Sequence, residues 1–229
     1  MAIEWVGLDA DDTLWHSEDG FNQVIAAFLD LVSPYAVADR DDVERRLLAI
    51  EHANLAVFGY GVKGFTLSMI EAAVEMSAGV IPAGELTRVV ELGRQLMRKP
   101  VELLDGVAEV VGELAGTHRL LLITKGDLLH QETKVIQSGL ERYFQAIEIV
   151  SEKEPEAYRR VLRRHGIAPE TFVMVGNSVK SDILPVLAIG GAAVHIPYAF
   201  LWGAEHAEHD GTVPELSSIT ALPGWLAGR

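Results

Sequence analysis

The chain has 229 residues, 49% of them hydrophobic, no cysteine, and a formal net charge of −14. That charge argues against a binder of nucleic acid or anionic membrane, which needs a basic face, and the missing cysteines exclude disulfides and thiolate metal sites. No basic-apolar signal segment and no apolar run of about 18 residues occurs, so the chain reads as cytoplasmic, with room for one large domain or a core plus an accessory domain.

Ile3, Trp5, Val6 and Leu8 predict a first strand. It runs into Asp9, Asp11 and Asp12. Clustered carboxylates repel one another and raise each other's pKa, so such a strand end calls for a cation. A short flap from Trp15 to Glu18 follows, and residues 19–99 then read as helices without a strand. Phe21, Val24, Ile25, Phe28, Leu29 and Val32 recur at helical spacing, and Asp41 with Glu44 has the form of a capping box ahead of Leu47, Leu48 and Ile50. Residues 65–76 and 86–97 repeat the pattern. Between two of these helices, residues 58–65 form a glycine-punctuated turn carrying Phe58, Tyr60, Lys63 and Phe65.

Beyond Pro100 the texture changes. Val107, Val110, Val111 and Leu114 predict a helix, and residues 120–123 a buried strand ending at Thr124 and Lys125. A helix to about Phe144, a strand over 146–150, a helix over 157–165 and a strand over 172–175 come next. A helix over 181–189 and a short strand over 192–196 complete the alternation. The strands are continuous apolar runs, the mark of a parallel sheet covered on both faces. Right-handed crossovers bring all carboxyl ends of such strands to one edge, where ligands bind. Asp9, Thr124, Lys153 and Asn177 each fall just past a strand end, so four polar groups are expected to converge there.

These residues form an ordered set. Asp9, Asp11 and Thr13 make D-x-D-x-T; Thr124 closes an apolar strand; Lys153 precedes a helix; Gly176, Asn177 and Asp182 end the fourth strand. The set resembles the four motifs of the haloacid dehalogenase-like hydrolase superfamily, in order and over nearly the whole chain. The resemblance implies a Rossmann-like α/β core, residues 1–16 and 99–229, with an all-helical cap, residues 17–98, inserted between the first two motifs. It further implies a phosphatase acting on a small phosphorylated metabolite, with Asp9 as nucleophile forming an aspartyl-phosphate. Mg²⁺ would be bound by Asp9 and the Asp11 backbone. The Asp11 side chain would be the general acid and base, with its pKa pushed up by neighbouring acids. Thr13 and Thr124 would serve the phosphate site, and Lys153 would balance charge on Asp9 and the phosphoryl group. In capped relatives the cap selects the leaving group, which makes Tyr60, Lys63 and Phe65 candidate substrate contacts.

One position departs from the pattern. Asn177 stands where the family usually has a metal-binding aspartate, so the third metal ligand is expected to be Asn177 or Asp182.

Asp12 reads as a structural acid that hydrogen-bonds its loop. Lys125 and Lys180 have the plain reading of surface charges, although Lys125, next to Thr124, is also a candidate phosphate contact. Trp202, Glu205, His206, Glu208 and His209 read as a solvated acidic loop rather than a metal site, and His16 as lining an entrance. Three rivals share the scaffold: a dehalogenase, which needs no acid at Asp11; a phosphonatase using Lys63 as a Schiff base; and a phosphate-ligand sensor that has lost turnover through Asn177. A sugar phosphate, a nucleotide and phosphoglycolate fit the sequence equally as substrates.

Overall fold

The computed structural model describes residues 2–200, 202–205, 207 and 212–229. It contains two units: Met1–Glu18, Val101–Lys125 and Gln131–Arg229 in one, and Asp19–Pro100 with Gly126–His130 in the other.

The first unit is built on a parallel sheet of β1 (Trp5–Leu8), β2 (Arg119–Lys125), β3 (Phe144–Val150), β4 (Phe172–Gly176) and β5 (Ala192–His195), in spatial order β3-β2-β1-β4-β5. Side chains alternate between faces along a strand, and here both faces are buried. Val6, Leu8, Leu120, Leu122, Val173 and Val175 pack with α5 (Val107–Ala115) and α9 (Leu222–Ala227). Trp5, Leu121, Ile123, Phe172 and Met174 pack with Tyr158, Val161 and Leu162 of α7 (Pro155–His165). Two covered faces explain why the strands read as unbroken apolar runs. The order places β1 between β2 and β4, where the chain switches direction across the sheet. In open α/β sheets the ligand crevice lies at that switch, outside the strand ends.

Two predicted elements differ in detail. The helix expected over 181–189 is a wide π-type turn, Val179–Ile183, followed by one turn of helix, α8 (Leu184–Leu187), with Pro185 inside its first turn. Ser178 shapes this turn by accepting from the Ser181 amide. The helix α6 (Leu128–Ser138) ends earlier than expected, and a 3₁₀ turn, Glu141–Tyr143, leads into β3.

The second unit holds α2 (Arg40–Phe58), α3 (Val62–Met76) and α4 (Ala83–Met97), together with most of α1 (Glu18–Val32). Phe28, Leu47 and Met69 are its largest fully buried side chains among the described residues. Its capping differs from the sequence reading: Asp39, not Asp41, accepts the Asp42 amide at 2.9 Å and starts α2. The turn between α2 and α3 is also tighter than expected. Helix continues to Phe58 and resumes at Val62, with Gly59 and Gly61 in the positive-φ conformation that lets so short a link close. Phe65 is not presented for substrate; it is buried in the helical core, edge-on to Phe21 at 5.3 Å.

Candidate active site

Each candidate side chain of the first unit hangs from the carboxyl edge of the sheet. The Asp9 amide still donates to Val175 at the end of β4, so the carboxylate emerges where β1 leaves the sheet. It is buried and meets two donors: Lys153 Nζ on Oδ1, and the Thr13 hydroxyl on Oδ2 at 3.1 Å. The same hydroxyl lies 3.4 Å from Asn177 Oδ1. Burial raises the Asp9 pKa to about 7, with Lys153 opposing and Asp182 adding to the rise.

Lys153 is buried between two carboxylates, donating to Asp9 and, at 2.7 Å, to Asp182 Oδ1. Burial disfavours its ammonium, but Asp182 and Asp9 outweigh that and hold its pKa well above the ordinary range. The other oxygen of Asp182 accepts the Ser178 amide at 3.0 Å. Gly176 permits this geometry, since a Cβ there would overlap the Asp182 carboxylate.

Asp11 has a different environment from the one its sequence neighbours suggest. Trp15 Nε1 donates to it at 2.6 Å, Gln131 Nε2 at 2.9 Å, and Lys134 Nζ reaches both carboxylate oxygens at 2.5 and 2.8 Å. Burial acts to raise its pKa, but Lys134, Gln131 and Trp15 together lower it. The expected upward shift is therefore corrected: one cation within contact outweighs neighbouring acids that point elsewhere. Gln131 and Lys134 were not found from the sequence. Their i, i+3 spacing on α6 was the available signal, since it puts both on one helix face.

Gln131 also ties Asp11 to β2. Its Nε2 lies 3.1 Å from Thr124 Oγ1 and 2.7 Å from the Lys125 carbonyl. An amide nitrogen cannot accept, so the Thr124 hydroxyl does not spend its own proton on this contact. Lys125 is not a surface charge. Its ammonium contacts Glu205 at 2.5 Å and Ser181 at 3.0 Å. Glu205 is correspondingly not a solvated acid: it is buried and accepts from Ser178 at 2.6 Å and Ser181 at 2.5 Å. Burial raises its pKa, and Lys125 and the two hydroxyls more than reverse that. His206, Glu208 and His209 of the same stretch lie outside the described residues.

Asp12 has the structural role expected of it. At φ 60° it turns its carboxylate to the Ser17 and Glu18 amides, at 2.8 and 3.1 Å, where α1 begins. His16 Nδ1 shares a 2.6 Å hydrogen bond with the Tyr198 hydroxyl. In the helical unit, Lys63 is paired with Asp127 at 2.9 Å, and Tyr60 lies half-buried in the α2–α3 turn. Among the described residues no three His, Asp or Glu side chains cluster closely enough to hold a metal by themselves, and no helix is long and apolar enough to cross a membrane.

A carboxylate at the end of β1, a lysine bridging it to a second acid, and a hydroxyl on the adjacent strand end thus meet at one edge of the sheet. The family model for haloacid dehalogenase-like hydrolases matches residues 3–190. The chain belongs to this family. A haloacid dehalogenase-like family hydrolase from Xanthomonas campestris is 44% identical in sequence, with a TM-score of 0.88 over 99% of this chain and 91% of that one. Pyrimidine 5'-nucleotidase YjjG of Escherichia coli (strain K12) is 21% identical over 230 residues, covering 97% of this chain and 96% of the relative. The 2-haloacid dehalogenase of Pseudomonas syringae pv. Tomato DC3000, 22% identical with a TM-score of 0.67 over 99% of both chains, shares the fold. As a member of the family, the protein is a hydrolase on a Rossmann-like core with a helical second unit.

Proposed function

We propose that this hydrolase is a Mg²⁺-dependent phosphomonoesterase acting on a small phosphorylated metabolite through a covalent intermediate on Asp9. The observation that carries the reading is the Asp11 carboxylate, fixed by Trp15, Gln131 and Lys134 yet still 29% exposed. An alkoxide leaving group needs a proton at that place; a halide needs none. The full-length similarity to a relative named as a nucleotidase supports the same choice.

In this reading a carboxylate oxygen of Asp9 attacks phosphorus and the ester P–O bond breaks. Asp11 gives its proton to the departing oxygen. A water then attacks phosphorus, passes a proton to Asp11, and releases phosphate and free Asp9. Asp11 is ionised beside Lys134 before substrate arrives; the approaching phosphate dianion raises its proton affinity, it takes up a proton from solvent, and this is the proton it gives to the leaving oxygen. Lys153 offsets negative charge on Asp9 and on the transferring group. Thr124 donates its hydroxyl proton to a phosphate oxygen.

The oxygen donors fit Mg²⁺. One Thr13 hydroxyl proton faces two acceptors, Asp9 Oδ2 and Asn177 Oδ1, and the raised pKa of Asp9 marks a buried carboxylate short of positive charge. Asp9, the Asp11 carbonyl and the Asn177 amide oxygen are assigned as ligands. Asp182 is assigned instead to Lys153, which it meets at 2.7 Å while its other oxygen is turned back onto the Ser178 amide of its own turn. The metal would supply charge screening between carboxylate and phosphate.

We assign leaving-group selection to the helical unit, with Tyr60 and Lys63 as the first positions to vary. Lys63 suits a Schiff base poorly: its side chain is 55% exposed and ion-paired with Asp127, without the desolvated pocket that activates an amine. The test offers the enzyme a phosphate monoester and 2-chloropropionate in parallel, following phosphate and chloride. Phosphate release alone is expected; chloride release alone overturns the reading.

A further inference from the structure

Four donor contacts converge on one carboxylate at Asp11, and three of them come from two side chains of α6. Lys134 grips both oxygens, which fixes the plane of the carboxylate rather than merely its position. Gln131 reaches Asp11 Oδ2 and Thr124 Oγ1 with the same nitrogen, so the proton-transferring group and the hydroxyl at the end of β2 are set relative to each other by one amide. Both side chains are buried, and among the described residues Lys134 has Asp11 alone as hydrogen-bond and ion-pair partner.

The amide also carries a cost that packing alone does not explain. Among the described residues, Gln131 Oε1 is the buried side-chain polar atom without a hydrogen-bond partner. A buried acceptor left unpaired is destabilising. Leucine, of similar volume, would remove that cost but would take a donor from Asp11, Thr124 and the Lys125 carbonyl, so it is the acceptors around the nitrogen that hold a glutamine here. The nitrogen end of Gln131 is held at its three acceptors at the expense of the oxygen end.

We infer that Lys134 and Gln131 are the positioning residues for Asp11: they hold its carboxylate in the orientation for protonating a leaving oxygen and register it against Thr124. The inference rests on the phosphatase reading, and it assigns the pair to a single half-reaction. Positioning of a general acid matters most when the leaving group is a poor one. An aryl oxide of low basicity departs with little help, whereas an alkoxide does not depart without a proton.

The experiment compares kcat and KM on p-nitrophenyl phosphate and on glycerol 2-phosphate for wild type, Lys134→Met, Lys134→Arg and Gln131→Leu, with thermal unfolding of each. Lys134→Met is expected to lose at least about tenfold more kcat on the alkyl ester than on the aryl ester, with KM little changed. Lys134→Arg should recover part of that loss. Gln131→Leu should show the same alkyl-selective loss of kcat with KM little changed, whereas a merely structural role would lower turnover of both esters alike. If Lys134→Met does not fold, Gln131→Leu carries the test alone. Equal losses on both esters, or faster turnover of the alkyl ester, overturn the assignment. A wild type inactive on both esters overturns the phosphatase reading, and this assignment with it.

Discussion

Lys153 Nζ donates to Oδ1 of Asp9 and to Oδ1 of Asp182, so a single buried ammonium joins the end of β1 to the turn after β4. Removing it leaves two buried carboxylates facing each other without a cation. Lys153→Met is therefore expected to destabilise the fold by about 3–5 kcal/mol, the range for breaking a buried pair from one side. Urea denaturation at neutral pH measures it; a change within the error of the midpoint contradicts the arrangement.

On the proposed reading Asn177 holds the metal and Asp182 holds Lys153. Asp182→Asn is expected to lower kcat by about 10-fold or more while leaving the Mg²⁺ concentration for half-activation nearly unchanged, as for a group acting through a neighbour. Asn177→Ala should do the reverse, raising the Mg²⁺ requirement. A Mg²⁺ titration of both variants separates the roles, and a large shift in Asp182→Asn would return that residue to the metal.

Gly176 is predicted to be as sensitive as a catalytic residue without touching substrate. Alanine there forces the Asp182 carboxylate away, since a Cβ would overlap it. Overpacking of this kind costs about 1–3 kcal/mol, and Gly176→Ala should combine that with lost turnover. A variant of unchanged activity would show that Asp182 can move without consequence.

Two carboxyls give the fold a pH dependence whose sign can be worked out. Burial raises both Asp9 and Asp12 to about 7 from an ordinary 3.8. Between those values the folded state binds more protons than the unfolded one, so their contribution to stability is complete below the unfolded pKa and is lost as pH rises through 7. In EDTA the denaturation midpoint should fall from about pH 5 to about pH 8. Asp12→Asn should flatten that fall, because an amide oxygen still accepts from Ser17 and Glu18 and asparagine tolerates the positive φ. An unchanged slope would show that Asp12 ionises normally.

Much of the core was legible because parallel strands buried on both faces write themselves as apolar runs, and because Asp9, Thr124, Lys153 and Asn177 each stand one to three positions past such a run. What the sequence hid were contacts between segments far apart in the chain. Glu205 lies in an acidic, histidine-rich stretch whose composition suggests a solvated loop, yet it meets Lys125 eighty positions earlier. The proton affinity of Asp11 was misread for the same reason: its sequence neighbours are acids, while its spatial neighbour is Lys134. In the helical unit, the glycine-punctuated turn at 58–65 makes Phe65 a candidate substrate contact, but helical spacing carries it inward onto Phe21. Local pattern decides which element forms, and long-range packing decides what a charged or aromatic side chain meets.

The most direct test of the account is phosphate release from small phosphate esters by wild type and Asp9→Asn, each with Mg²⁺ or with EDTA. Release by wild type in Mg²⁺ alone is expected, with Asp9→Asn inactive although folded. Equal release in EDTA, or undiminished release by Asp9→Asn, would contradict it.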